Sequence, residues 1–166
     1  MSLRIEPLSR HHDRNGFNCG DEAVDRFLQQ KAKQDQDLDL GRSCVLVDPE
    51  KDAAGILGYH SLTMLQVPQN QIPHDRPIIK RGIPVILLGQ VGVDIRCQRK
   101  GYGDLLLSDA QGRVLEISNI VGIRALVLDA RSRSLVEWYS SYGFLQLADS
   151  MRMVKRIEAI RQELVD

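Results

Sequence analysis

A nearly continuous apolar run at positions 84–94, PVILLGQVGVD, leads directly into a loop at positions 97–103, CQRKGYG. Such runs are typical of strands that are covered on both faces of a sheet. Gly89 and Gly92 lie inside the run, and glycine within a strand indicates a bulge or the close approach of another backbone. We therefore predict a central, buried strand that ends at a glycine-containing turn.

Apolar periodicity predicts the elements around this strand. Helical spacing continues from Gly103 to Val121, and Gly122 stands where a helix would end. The remaining patterns predict a helix over 21–33, a hairpin of strands 43–48 and 55–67, a strand over 123–128, a short helix over 134–142, a strand over 144–147 and a closing helix over 154–164. This order favours an α/β fold with helices packed on a mixed sheet.

The stretch from 68 to 84 is predicted to be a long functional loop. It contains four of the six prolines, and proline cannot donate a backbone hydrogen bond to a helix or a central strand. Its polar and basic residues include His74, Lys80 and Arg81. The chain of 166 residues shows no internal repeat and has the length of one domain, which we expect to span 1–166.

Composition excludes several classes of protein. Hydrophobic residues make up 43% of the chain and charged residues 27%, which is globular rather than disordered composition. The 22 basic residues equal the 22 acidic residues in number, so the net charge is zero. A nucleic acid would therefore have to be bound by a local basic patch.

Cysteine usage and apolar segments predict a protein of the reducing cytoplasm. Cys19, Cys44 and Cys97 are odd in number and show no C-x-x-C spacing, so we expect neither a disulfide framework nor a structural zinc site. The four histidines also lack metal-ligand spacing, and no metal site is predicted. No stretch reaches the roughly 18 apolar residues that a membrane span requires, and the N-terminus lacks the apolar core of a signal peptide.

The loop at 97–103 has the chemistry of an anion site. Gly101 and Gly103 allow the backbone N–H groups to point toward one position, and the N-terminus of the following helix adds partial positive charge. Arg96, Arg99 and Lys100 add mobile charges. The loop matches neither the triphosphatase pattern nor the dinucleotide pattern of glycines, so a different phosphate-bearing ligand is indicated. The alternative is a tight turn from strand to helix without a ligand.

Two short motifs resemble the signatures of the GNAT acetyltransferases. Gln98, Gly101 and Gly103 follow the family's Q/R-x-x-G-x-G/A pattern after a bulged strand, and EWYSSYGF at 137–144 resembles its second signature. FNCG at 17–20 and VDRFL at 24–28 further resemble the GNAT toxins of bacterial type II toxin–antitoxin systems. This resemblance extends from about position 8 to position 153.

The resemblance implies the GNAT fold, which is a mixed, mostly antiparallel sheet with a splayed central strand flanked by helices. It implies acetyl-CoA as co-substrate, with the pantetheine arm lying along the central strand near Gly92. Ser132 stands where many family members carry an asparagine that contacts the coenzyme, which puts that contact in doubt. The coenzyme-binding residues implied are Val91, Gly92, Val93, Gln98, Arg99, Lys100, Gly101, Tyr102, Gly103, Asp104 and Ser132.

The resemblance also assigns Tyr139 as the general acid that protonates the departing thiolate. A phenol with a pKa of about 10 stays protonated at neutral pH and suits this role. Spacing alone would make Tyr139 a core aromatic residue, and Trp138 and Tyr142 are assigned to packing or to the cleft wall. No general base is assigned, because Asp94, Asp129 and Glu137 each have another explanation.

In the toxin group the acceptor is the α-amino group of an aminoacyl-tRNA, and the expected partners are this tRNA, a ribbon-helix-helix antitoxin and a second copy of the chain. The alternatives are a GNAT enzyme acting on a small-molecule or protein amine, and a catalytically weak acetyl-CoA-binding module. An ordinary solvated surface explains most of the candidate tRNA contacts equally well, whereas the Lys80–Arg81 pair in the proline-rich loop favours a contact. The candidates are Arg10, Arg14, Arg26, Lys31, Lys33, Lys80, Arg81, Arg131 and Arg133.

Overall fold

The structure is a computed structural model that describes residues 2–73 and 81–165. His74, Pro77 and Lys80 of the predicted long loop lie outside the described residues. Within the described ranges, every helix is too short or too polar to span a lipid bilayer.

Seven strands form one sheet in the order β1-β2-β3-β4-β5-β7-β6. The pairs β1–β2, β2–β3, β5–β7 and β6–β7 are antiparallel, whereas β4 and β5 are parallel. The mixed, mostly antiparallel sheet is therefore confirmed. The strands are β1 Arg4–Pro7, β2 Arg42–Val47, β3 Gly58–Val67, β4 Ile83–Val93, β5 Ala125–Asp129, β6 Leu145–Gln146 and β7 Arg152–Arg156.

Helical segments lie between the strands and after the last one. The predicted helix at 21–33 begins after Asp21, whose side chain accepts a hydrogen bond from the Ala23 N–H, and continues through one π-helical turn to Asp37. The helices are α1 Glu22–Arg26, α2 Ala32–Asp37, α3 Pro49–Asp52, α4 Tyr102–Ser118, α5 Arg133–Ser141 and α6 Ile157–Val165, with the π-helical turn at Phe27–Lys31 and 3₁₀ turns at Gln69–Gln71 and Ile95–Cys97.

The predicted hairpin, central strand, long helix and short helix are confirmed, but the closing helix is wrong in its first turn. Residues 154–156 belong to β7, and only from Ile157 onward is the chain helical. The consecutive β7 residues Met153, Val154 and Lys155 are all buried, so both faces of this strand are covered. Burial on both faces removes the polar alternation that marks a strand, and Val154 then extends the helical stripe by coincidence.

The sequence prediction also missed β1 and placed the end of the long helix too late. β1 has only four residues and its burial shows no clear alternation, so its pairing with β2 gives little signal in the sequence. Helix α4 ends at Ser118, and Ile120, counted in the predicted helix, is 87% exposed.

The chain divides into two compact units. The first comprises Met1–Thr63 and Gly89–Ala110, and the second comprises Met64–Leu88 and Gln111–Asp166. Each unit has a cluster of buried apolar side chains. The single domain over 1–166 stays a prediction.

Tyr59 organises the core of the first unit. Its ring is fully buried and makes an edge contact with Phe17, with the ring centroids 5.5 Å apart. Its hydroxyl donates a hydrogen bond of 2.5 Å to the carbonyl oxygen of Val24. One side chain of β3 therefore fixes helix α1 in place through both apolar and polar contacts.

Lys155 connects the elements of the second unit, as Tyr59 does in the first. Its side chain is 1% exposed, and its ammonium group donates hydrogen bonds of 2.6 Å to the Gln111 side-chain oxygen and to the carbonyl of Tyr142. It also forms an ion pair with Glu163. A buried charge is tolerated when its donors are used in this way, and this one connects β7 to α4, α6 and the end of α5.

The backbones of the first unit approach each other most closely at Gly58. A Cβ atom at this position would lie 2.8 Å from Leu106 Cδ1 and 2.9 Å from the carbonyl oxygen of Gly92. Gly92 is also confined, because its own Cβ would lie 2.9 Å from Val24 Cγ1. Side chains larger than hydrogen are excluded from both positions by this packing.

We expect Gly58→Ala to lower the free energy of unfolding by about 1–3 kcal/mol, because the added methyl group meets a backbone oxygen that cannot move aside. Gly112→Ala is the matched control, since a Cβ at this position of α4 meets nothing within 4 Å. That variant should raise the stability by about 0.5–1 kcal/mol through helix propensity. Urea unfolding measures both, and equal stabilities would contradict the packing argument.

Candidate active site

A buried carboxylate shapes the connection between β4 and α4. Asp94 follows the last residue of β4 and is 1% exposed. Its carboxylate accepts hydrogen bonds from the backbone N–H and the Nε of Arg96, at 3.0 and 2.8 Å, and from the N–H of Asn18 at 3.1 Å. Burial alone would raise the pKa of Asp94, but these hydrogen bonds together lower it below its ordinary value. The charged carboxylate holds the N-terminal segment against the end of β4.

Gln98 makes a second connection between the same segments. Its side-chain nitrogen donates to the carbonyl oxygens of Cys19 and Val93, both at 2.9 Å. Both amide hydrogens are therefore used within the protein. Gln98, a residue of the coenzyme signature, therefore positions the loop, and its partner Cys19 lies 79 residues away in the sequence.

The loop itself turns through the left-handed region of backbone conformation. Arg99 has φ +65° and Gly101 has φ +82°. Helix α4 begins at the next residue, and the N–H of Leu105 donates to the carbonyl of Gly101 at 3.2 Å. The first N–H groups of a helix have no acceptors within it and carry its partial positive charge.

The structure places the predicted anion-binding residues together at this helix terminus. Arg99, Lys100 and Gly101 are exposed, and Tyr102 and Gly103 are partly exposed in the first turn of α4. Backbone donors and two mobile cations therefore surround one accessible position, which is the arrangement that binds phosphate groups. Asp104 is exposed in the same turn.

Val91, Gly92 and Val93 form the last residues of β4. Gly92 is buried, and the two valines are half-buried.

The neighbouring thiol of Cys19 is not a nucleophile at neutral pH, because burial, together with hydrogen bonding and charge from Asp25, raises its pKa to about 12. Burial also raises the pKa of Cys97.

Tyr139 and Ser132 belong to the second unit. Tyr139 lies in α5 and is 7% exposed, with its ring centroid 4.9 Å from Trp138 and 5.7 Å from Phe144. Burial raises its pKa to about 12. The Ser132 hydroxyl caps α5 by accepting a hydrogen bond of 3.2 Å from the Leu135 N–H, a role that the sequence analysis did not assign.

Two of the carboxylates considered as general bases, Asp94 and Asp129, form ion pairs with arginines. Asp129 accepts two hydrogen bonds from the Arg152 guanidinium, at 2.7 and 2.9 Å, and this pairing lowers its pKa. Asp94 is engaged with Arg96 as described above. Neither carboxylate is therefore suited to accept a proton at neutral pH.

The candidate tRNA contacts fall in both units. In the first unit Lys33 forms an ion pair with Asp37, and the charges of Arg10 and Arg14 also help to lower the pKa of that carboxyl. Lys33 therefore contacts this exposed acid directly, and Arg10 and Arg14 act on it only through their charge. In the second unit Arg81, Arg131 and Arg133 are exposed.

No model of a known protein family matches the chain. It is similar to the probable toxin TacT of Sinorhizobium fredii, with 31% identity over 169 residues that cover 95% of this chain and 92% of that protein. It is also similar to a tRNA-acetylating toxin of Mycobacterium tuberculosis, with 26% identity, covering 82% of this chain and 81% of that protein.

Solved toxin structures share the fold. A tyrosine-to-phenylalanine mutant of KacT has a TM-score of 0.90 at 26% identity, covering 98% of this chain and 99% of that chain. AtaTR bound with AcCoA has a TM-score of 0.85 at 25% identity, covering 98% of both chains. The KacTA–DNA complex has a TM-score of 0.83 at 28% identity, covering 99% of both chains. The identity to TacT and these shared folds show that the chain belongs to the GNAT toxin family.

Proposed function

We propose that the chain is an acetyl-CoA-dependent N-acetyltransferase that acetylates the α-amino group of aminoacyl-tRNA and thereby blocks translation. The observation that carries this proposal is the 31% identity to the probable toxin TacT over 95% of the chain. The tRNA-acetylating toxin among the relatives supports tRNA as acceptor, and the AcCoA-bound AtaTR structure supports the co-substrate.

The coenzyme pyrophosphate would be bound at the N-terminus of α4. The N–H groups of Gly101 to Asp104 and the side chains of Arg99 and Lys100 supply the donors and the positive charge. The backbone of 91–93 would hold the pantetheine arm as an added strand does. Acetyl-CoA supplies an activated acetyl thioester.

Tyr139 would stabilise the leaving thiolate. With a pKa raised to about 12, its hydroxyl is protonated throughout the neutral range. A thiol has a pKa of about 8.5, so complete transfer of the phenol proton to the thiolate is uphill. Tyr139 therefore acts mainly as a hydrogen-bond donor to the developing negative charge.

The acceptor explains why no general base is needed. An α-amino group has a pKa of about 7.7–8.0, so roughly a tenth is neutral at pH 7 and about half near pH 8. The neutral amine attacks the thioester directly, and the proton that it loses as the amide forms passes to the departing thiolate or to solvent. A lysine side chain, with a pKa of about 10.4, would need a base that the ion-paired Asp94 and Asp129 do not provide. Direct attack also needs no metal ion.

The toxin is expected to have a protein partner. The KacTA–DNA complex supports an antitoxin that binds DNA, and we propose one of the ribbon-helix-helix type. Because charged tRNA and acetyl-CoA are both cytoplasmic, we place the protein in the cytoplasm. A homodimer stays a prediction.

Incubation with labelled acetyl-CoA and a pool of charged tRNA should label the charged tRNA and leave uncharged tRNA and polyamines unlabelled. The label should be released with the amino acid when the ester bond to tRNA is hydrolysed. Labelling of polyamines or protein alone would assign the chain to the small-molecule or protein acetyltransferases. Saturable coenzyme binding without any transfer would make it a binding module.

Gly101→Ala should weaken acetyl-CoA binding about tenfold, because a side chain at φ +82° is strained by roughly 1–2 kcal/mol and redirects the loop N–H groups. Isothermal titration calorimetry measures the Kd. Gly122→Ala is the control, since a Cβ there meets nothing within 4 Å. Unchanged affinity in Gly101→Ala would make the loop an ordinary turn between strand and helix.

Tyr139→Phe should reduce kcat by at least about 100-fold, which is the lower range for the loss of a general acid, with the Kd for acetyl-CoA nearly unchanged. The matched control is Tyr142→Phe, which changes the same type of residue at the end of α5 and should retain turnover. A Tyr139→Phe enzyme within a few-fold of wild-type kcat would remove Tyr139 from the mechanism.

A further inference from the structure

A cysteine, a histidine and an aspartate come together in the first unit, and none of them has a role in acetyl transfer. Cys44 of β2 and His60 of β3 are direct partners across the two strands, and Asp109 lies on α4. One ligand atom of each residue lies within 4.8 Å of the others. Local spacing in the sequence excluded a metal site, but these positions are separated by at least 16 residues and meet only in the folded hairpin and helix.

The His60 ring is held in one orientation and leaves one nitrogen without a partner. Its Nε2 lies 2.8 Å from the Asp109 carboxylate, so the ring proton is placed on Nε2 and directed to that oxygen. The Nδ1 atom then carries a lone pair. It is buried and has no hydrogen-bond partner among the residues that the structure describes. A buried acceptor in this state is costly unless a ligand binds it.

The donor set is that of a zinc-type ion. Thiolate sulfur and imidazole nitrogen are ligands of Zn²⁺ and of neighbouring transition metals, whereas Mg²⁺ and Ca²⁺ require oxygen ligands. Ligand atoms around a tetrahedral Zn²⁺ are separated by roughly 3.4–3.8 Å, given the usual bond lengths. Cys44 and His60 are directly opposed on neighbouring antiparallel strands, where Cβ atoms lie roughly 4.5–5.5 Å apart, so the sulfur and the imidazole ring can reach this separation.

We propose that Cys44 and His60 bind a divalent transition-metal ion of the zinc type, with Asp109 as a positioning residue. The ligands are the Cys44 thiolate and His60 Nδ1, while the Asp109 carboxylate accepts the Nε2 proton and fixes the ring, as in other carboxylate–histidine–metal arrangements. Water completes the coordination and enters beside Asp109, whose side chain is 24% exposed. Binding displaces the Cys44 thiol proton to solvent and changes no oxidation state.

The ion would stabilise the folded chain rather than assist the transfer. It would connect β2, β3 and α4 in the first unit, and any ligand that binds only the folded state raises the melting temperature by an amount that grows with the ratio of free ligand concentration to Kd. The site is therefore independent of the proposed acetyltransferase function.

A second cluster provides an internal comparison. Glu6, His11 and His12 also offer ligand atoms within 4.8 Å of one another. Both ring nitrogens of His12 are already used, since Nδ1 accepts from the Ser9 N–H at 3.0 Å and Nε2 contacts Glu6 at 2.8 Å. This cluster contains no thiol, so a metal–thiolate absorption band distinguishes the two.

The experiment titrates tag-free, chelator-treated protein with Co²⁺ and then with Zn²⁺. We expect one equivalent of Co²⁺ to produce a thiolate-to-cobalt charge-transfer band in the near ultraviolet, and Zn²⁺ to abolish it and to raise the melting temperature. Cys44→Ser should lose the band and the thermal shift. Asp109→Asn should retain the band with affinity reduced about 10–100-fold, as expected for an outer partner of a ligating histidine.

Cys97→Ser is the matched control, because it removes another buried thiol outside the cluster. It should keep both signals. Far-ultraviolet circular dichroism verifies the fold of each variant, and Asp109, whose side chain is 24% exposed, provides a variant that tests the site even if Cys44→Ser does not fold. Absence of the band in the wild-type protein, its persistence in Cys44→Ser, or its loss in Cys97→Ser would each overturn the proposal.

Discussion

The close approach of backbones at Gly58 and Gly92 is the constraint on which the first unit depends. Two strands and the helices α1 and α4 can meet there only because neither position carries a side chain. Gly92 lies one residue before the end of β4, and Leu106 lies in the second turn of α4. The loop at 97–103 occupies the short connection between these two packed elements.

Hydrogen bonds hold the loop at 97–103 against the packed residues of the first unit. The Asp94 carboxylate and the Gln98 amide both reach back to the segment before α1, at Asn18 and Cys19. A turn with residues in the left-handed region would otherwise be mobile, and a mobile loop would lose conformational entropy on binding a ligand. Because these contacts hold the loop in one conformation before any ligand binds, they reduce the entropy lost on binding.

The two units differ in how they treat a buried ionisable side chain. The Lys155 ammonium group has three acceptors, which are the Gln111 side-chain oxygen, the Tyr142 carbonyl and the Glu163 carboxylate, so its donors are all used. His60 has a carboxylate on one ring nitrogen and, among the residues that the structure describes, no partner on the other. Satisfied buried polar groups stabilise a single arrangement, whereas an unsatisfied one indicates a missing ligand or a stored cost.

The sequence by itself determined the local elements and the loop chemistry, because hydrophobic period, capping residues and glycine signatures act over a few residues. It placed β4, α5 and the start of α4 correctly, and it marked Gly101 as a position where the backbone turns. Only the tertiary structure decided the strand character of 154–156, the hydrogen bonds by which Gln98 joins the loop to the segment before α1, and the meeting of Cys44 with His60. Burial of consecutive β7 residues depends on elements that are distant in the sequence, and partners such as those of Gln98 and Cys44 also lie far away, so no local pattern records them.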